Sequence, residues 1–192
     1  TLRESGMNYL FDVAVPPTAG TTGTLAYKMG IDKELEGPII HCHWGMSRVG
    51  ALKSHREELE GQGAVYQYMQ GADLDENEFY RYMTEKYRGG PDKVGEIYTN
   101  GLIQTISFGE ALKRALDKVG YEKLDGYVFK EEVEGLTGFV PKGLTSPITW
   151  SKTERRMTLD DCIYQYHEGK AYPITEWTRV PDACKLFDWS KY

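Results

Sequence analysis

Between Asn8 and Met69, three short runs of β-forming residues alternate with stretches that can be helical. NYLFDVAV (Asn8–Val15) reads as a buried strand ended by Pro16 and Pro17. GPIIH (Gly37–His41) is a second strand, and AVYQYM (Ala64–Met69), with its alternating pattern, is a third. TAGTTGTLAYKM (Thr18–Met29) reads as a weak helix because Thr and Gly are poor helix formers, and Ser47–Glu60 reads as another. Parallel neighbours need a crossover of a dozen or more residues, usually a helix. This order therefore predicts an α/β fold with a parallel sheet flanked by helices. The chain opens TLRESG, which reads as the end of a helix (Thr1–Glu4) followed by a Gly stop. That opening leads to the expectation of a chain that starts in the middle of a fold.

The middle of the chain is helical. Asp75–Tyr87 repeats Phe79, Met83 and Tyr87 at four-residue spacing, and Gly89, Gly90 and Pro91 stop it. A longer helix is expected from Val94 to Val119, with Leu102, Ile106, Leu112, Leu116 and Val119 on one face. Gly109 falls on the same stripe, where another backbone is expected to come close. Leu124–Val133 is a further helix, and Gly135–Ser151 reads as loop and strand. Asp161–Tyr166, the turn HEGK (His167–Lys170) and Ala171–Trp177 read as a β-hairpin.

Composition excludes several functions. The net charge is −6, and no basic stripe is present, so no nucleic-acid partner is expected. No apolar run of membrane-spanning length occurs. The three cysteines, Cys42, Cys162 and Cys184, show no metal-binding spacing, and no cofactor is expected. A Cys162–Cys184 disulfide and three unpaired thiols both remain open.

HCHWGMSR places Cys42 directly after a strand, with five residues between it and Arg48. A thiolate at that place, with Arg48 and backbone N–H groups holding phosphate oxygens, is the chemistry of a cysteine phosphatase. Asp12, at the end of an earlier strand, would be its general acid. Against this stand the bulky His43 and Trp44, which leave Gly45 as the only glycine of the cradle, and the short chain before the loop. The phosphatase competes with two other classes, a small-molecule-binding protein and a regulatory or interaction domain.

The order of segments resembles the C-terminal half of type I periplasmic solute-binding proteins of ABC transporters, of the branched-chain amino acid and amide class. The likeness runs through LRESGMNYLFDVAV, the Lys28-Met29-Gly30-Ile31 turn, GPIIHCHWG, GQGAVYQYM, ENEFYRYMTEKYRGGPD and EIYTNGLIQTISFGEALKRALDKVG. It closes with Gly138–Trp177, the most specific part, and covers roughly residues 2 to 180. One departure is the HCHWG run, where the family has an acidic or small residue, which points to a different ligand.

The resemblance implies two α/β lobes joined by hinge crossovers and incomplete in this chain. Residues 1–65 and 155–192 would belong to the second lobe and 66–154 to the first. It implies a non-enzyme that captures a small carboxylate-bearing solute, such as an amino acid, amide or aromatic acid. Trp44 and Tyr98 would form flat walls, His43 and Asn100 would hydrogen-bond the solute, and Val15 and Pro16 would end the first strand at the cleft. The implied partners are the solute, ABC permease subunits, and the missing N-terminal half or a partner chain. The implied location is periplasmic or extracellular, with membrane association through the transporter.

Overall fold

A computed structural model describes residues 4, 6–13, 18–42 and 57–181. Val15, Pro16, His43, Trp44, Arg48, Cys184 and most of the helix expected over Ser47–Glu60 lie outside the described residues.

Three parallel strands form one side of the sheet: β1 (Phe11–Asp12), β2 (Ile40–His41) and β3 (Gly63–Tyr66). Their register pairs Asp12 with His41, and His41 with Ala64. The crossover between β1 and β2 is α1 (Thr18–Lys28). An antiparallel hairpin completes the sheet, with β4 (Asp160–His167) against β3 and β5 (Lys170–Pro173) against β4. The order is β1-β2-β3-β4-β5, and β6 (Thr178–Arg179) pairs with the start of β4. The sheet is thus mixed, because the hairpin turns the chain back on itself. Its tight turn places Glu168 and Gly169 at φ of 50° and 79°, the pair of positive values that matches strand twist in a two-residue hairpin.

Between β3 and β4 the chain is helical: α2 (Gly71–Glu76), α3 (Glu78–Arg88), α4 (Glu96–Val119) and α5 (Gly126–Glu134). The single helix expected over Asp75–Tyr87 is two, broken at Asn77. That residue caps α3 by accepting from the Tyr80 amide at 2.9 Å. Asp125 caps α5 in the same way, accepting from Tyr127 and Val128.

The main core is built from tyrosines as much as from aliphatics. Tyr66, Tyr68, Tyr80, Tyr164 and Tyr166 are buried with Leu59, Leu74, Ile103, Leu144 and Ile148. Each buried Leu or Ile contributes about 1.5–3 kcal/mol by leaving water. A smaller cluster of Ala26, Ile31 and Ile39 packs α1 onto the sheet.

Three core expectations need correction. On α3 the buried residues are Tyr80 and Thr84, whereas Phe79 and Met83 are partly buried and Tyr87 is exposed. Phe79 and Met83 still pack against the core from the side of that stripe, and only Tyr87 leaves it. On α4 the buried line is Thr99, Leu102, Ile103, Ser107, Ala111 and Ala115, while Leu112 is exposed. Leu112 instead lines a hollow between α4 and α5. Finally, the β1 strand is buried on one face only: Leu10 packs inward, while Tyr9, Phe11 and Val13 are exposed.

Two glycines give opposite predictions. A Cβ on Gly23 of α1 would lie 2.4 Å from Gln62 Oε1 and 2.7 Å from Leu59 Cδ2. A Cβ on Gly109 of α4 meets nothing within 4 Å, so no backbone approaches it among the described residues, contrary to the expectation from its stripe. Gly23→Ala is expected to destabilise by about 1–3 kcal/mol through overpacking. Gly109→Ala is expected to stabilise by roughly 0.5–1 kcal/mol by removing helix-interior glycine entropy. Urea unfolding of both variants checks the contrast, and equal shifts would contradict it.

Candidate functional site

The C-terminal ends of three parallel strands lie side by side at Asp12–Val13, His41–Cys42 and Tyr66–Tyr68. In open α/β sheets this edge is where ligands bind.

Beneath that edge sits a buried polar chain. The His41 ring is fully buried, with Nδ1 3.1 Å from Asp12 Oδ2 and Nε2 2.8 Å from Gln62 Oε1. The Gln62 amide nitrogen donates to the carbonyls of Gly23 (3.3 Å) and Glu58 (2.9 Å). The backbone of Cys42 donates to Asp12 O at 2.9 Å. The chain ties β1, β2, the turn before β3 and α1 together. His41 is thus a structural strand residue, as its place in GPIIH suggested. An Asp–His pair beside a cysteine invites a catalytic reading, but among the described residues the second ring nitrogen meets an amide oxygen rather than a nucleophile.

On the far side of β3 the tyrosines form a second polar–aromatic group. The Tyr66 and Tyr166 hydroxyls share a hydrogen bond of 2.8 Å. The Tyr66 ring meets Tyr68 and Tyr164 edge-on, at centroid distances of 5.9 and 5.8 Å. Tyr164 donates to Asp73 Oδ2 at 3.0 Å. Burial, the Asp73 charge and nearby Cys162 all raise the Tyr164 phenol pKa, so it stays protonated and remains the donor.

Next to this group lies a cavity of about 490 Å³, lined by Asp73, Cys162, Pro173, Ile174, Thr175, Glu176 and Trp177. Cys162 is a free, buried thiol that donates to Thr175 O at 3.1 Å. Burial is the main influence pushing that thiol up, and the Asp73 charge adds to it. At the start of α2 the buried Gln70 amide nitrogen has no hydrogen-bond partner among the described residues. A second, apolar hollow of about 540 Å³ lies between α4 and α5, lined by Phe108, Leu112, Leu124 and Phe129 among others.

Of the residues expected to touch a solute, two are described, and both sit on α4. Tyr98 is partly buried, edge-on to Tyr80 at 6.4 Å, with the Arg88 guanidinium 5.4 Å above its ring. Asn100 accepts from Gln104 one turn along the helix at 2.8 Å. The structure brings neither to Asp12 or Cys42 through a hydrogen bond or ring contact. Sequence reading missed Asp73, Gln70 and the Cys162–Trp177 cavity. The signal lay in DDCIYQYH, where burial alternates so that Cys162, Tyr164 and Tyr166 share one face. Among the described residues, no group of three or more His, Cys, Asp or Glu is placed to hold a metal.

No protein-family model and no curated protein matches the chain. Solved structures do. A branched-chain amino acid ABC transporter protein from Thermus thermophilus with bound valine matches at 17% identity and a TM-score of 0.77, over 93% of this chain and 48% of that one. A leucine-binding protein from Thermotoga maritima matches at 15% identity and 0.66, over 90% and 45%. An ABC transporter solute-binding protein from R. palustris in complex with benzoate matches at 14% and 0.62, over 94% and 46%. The chain therefore has the fold of type I periplasmic binding proteins, and it spans about half the length of the structures it matches.

The buried, hydrogen-bonded Cys162 is expected to react slowly with iodoacetamide at neutral pH in the folded protein, and at the rate of an ordinary thiol in urea. Mass-spectrometric mapping of the label reads both rates. Equal rates in the two states would contradict the burial and the raised thiol.

Proposed function

We propose that the chain is part of an extracytoplasmic solute-binding protein that holds a small carboxylate-bearing solute between two lobes and delivers it to an ABC permease. The observation that carries this reading is the match of more than nine-tenths of the chain to solved solute-binding proteins, one with bound valine and one with benzoate. The mechanism is hinge closure of the lobes over the solute. No catalytic step is invoked, in keeping with an Asp12–His41 pair that ends on Gln62.

In this reading residues 1–65 and 155–192 are parts of one lobe and 66–154 of the other. Its support is that the sheet draws almost wholly on the two ends of the chain, whereas the middle is helical. The structures matched are about twice as long as this chain, so the rest of the fold is supplied by further sequence or by a partner chain. The exposed Tyr9, Phe11 and Val13 along and beside β1 fit a sheet face that such a part would cover. The working location is periplasmic or extracellular; among the described residues no helix is long and apolar enough to cross a membrane.

The solute would be met by His43 and Trp44 after β2, by Val15 and Pro16 after β1, and by Tyr98 and Asn100 at the start of α4. The HCHWG run and the many aromatics favour an aromatic acid beside aliphatic amino acids.

A thermal-shift screen of the protein with its complete lobes against valine, leucine, amides and benzoate tests the reading. A solute at a hundredfold its Kd is expected to add about 2.7 kcal/mol, so Tm rises with concentration. Trp44→Ala is expected to abolish that rise and leave the ligand-free Tm near its starting value. A flat response across the panel, together with phosphatase activity that Cys42→Ser removes, would overturn it.

A further inference from the structure

Asp73 and the stretch that follows β5 line a cavity that plays no part in the solute reading. Its volume of about 490 Å³ is within the range of small-molecule pockets. Its place follows from the strand register. Cys162 pairs with Tyr66, the last residue of β3, and Pro173 pairs with Tyr164. The cavity therefore lies at the sheet edge where the parallel strands end, but beyond β3, whereas the proposed solute loops follow β1 and β2.

The walls are set by contacts made behind the cavity. Gly71 seats α2 on β5: a Cβ there would collide with the Ala171 carbonyl, and its φ of 49° also favours glycine. Lys170 Nζ on β5 meets Asp75 Oδ2 at 3.4 Å across the same junction. On the strand side, Thr175 Oγ1 accepts from the Ile163 amide at 2.9 Å, and the Cys162 thiol donates to the Thr175 carbonyl at 3.1 Å. The Tyr164 hydroxyl donates to Asp73 Oδ2 at 3.0 Å. A phenol is a neutral donor, so this bond orients the carboxylate without neutralising it. Walls fixed in this way spare a ligand part of the ordering cost of binding.

The lining combines charge with an aromatic surface. Asp73 and Glu176 bring two carboxylates, and Trp177 brings an indole, the ring that attracts cations most strongly. Trp177 also packs against the main core, which holds it in the wall. Pro173 and Ile174 add hydrocarbon surface. A primary ammonium carries three N–H donors for the carboxylates, and its organic group suits the indole, Pro173 and Ile174. A carboxylate-bearing solute without a cation would be repelled by the same two acids. We propose that this cavity is a second binding site, separate from the β1–β2 edge, that takes a small organic ammonium ion. Such binding is independent of any solute held at β1 and β2.

The test is a titration of the nitrogen-15-labelled protein, with its complete lobes, with benzylammonium, followed by NMR at neutral pH. Saturable shifts are expected at the amides of Asp73 and Thr175–Trp177 and at the Trp177 indole N–H, with Cys42 unmoved. Benzyl alcohol, which has a similar shape and no charge, is expected to leave these signals in place. Asp73→Asn keeps an acceptor for Tyr164 and removes the charge, and is expected to weaken benzylammonium by roughly tenfold or more. Trp177→Leu keeps apolar bulk and is expected to weaken it about threefold. Glu176→Gln, at an exposed position, asks the same question of the second carboxylate without risk to the fold, and is expected to weaken binding as well. Absence of saturable shifts at Thr175–Trp177 in the wild-type protein would overturn the site. Equal shifts with benzyl alcohol, or unchanged affinity in both folded acid variants, would overturn its choice of a cation. If Asp73→Asn does not fold, Glu176→Gln and the alcohol control still decide. A flat thermal-shift screen beside saturable benzylammonium binding would sink the solute reading and leave this site standing, and the reverse pattern would do the opposite.

Discussion

The sheet depends on a buried histidine that cannot be satisfied by water. His41 sits at the end of β2, and its two ring nitrogens need partners from two different elements. Asp12 on β1 supplies one and Gln62, just before β3, supplies the other. Gln62 in turn needs the carbonyls of Gly23 on α1 and Glu58. A buried polar network of this kind is costly unless every member is paired. Satisfying it fixes the register of three parallel strands and the seat of the helix above them. The strand ends that result are aligned, and aligned ends are what a ligand cleft in this class of fold requires.

The other half of the sheet is held by a different device. Tyrosines carry apolar rings into the core and still need a partner for each hydroxyl. Tyr66 and Tyr166 satisfy one another across the sheet, and Tyr164 reaches Asp73 on α2. This pins the hairpin of β4 and β5 against the crossing from β3 into the helices. The cavity beside it has Asp73, Cys162 and Trp177 in its wall.

Much of the fold was legible because its signals are local. The β2 and β3 strands and the hairpin follow from short apolar or alternating runs next to Gly and Pro, and α4 from its length. The errors came where identity alone does not choose a face. Asn77 looks like one more polar helix residue, yet its side chain starts a new helix and turns Tyr80 and Thr84 inward. Leu112 looks like core, but it lines the hollow between α4 and α5, and Ala111 and Ala115 take the buried line. The candidate site was less legible. His41 and Asp12 are twenty-nine positions apart, and Tyr164 and Asp73 ninety-one, and no periodicity links residues so distant. The segment order, by contrast, pointed to the fold that the solved structures then matched.

The central claim is that a small solute binds where β1, β2 and β3 end. Hydrogen–deuterium exchange of the protein, with and without a solute drawn from those that the matched structures bind, tests it most directly. The account predicts slower exchange at Cys42 and across Gln67–Met69 when solute is present, with the amides of β5 unchanged. Protection confined to Thr175–Trp177 would place the solute in the Asp73–Cys162 cavity instead and contradict the account.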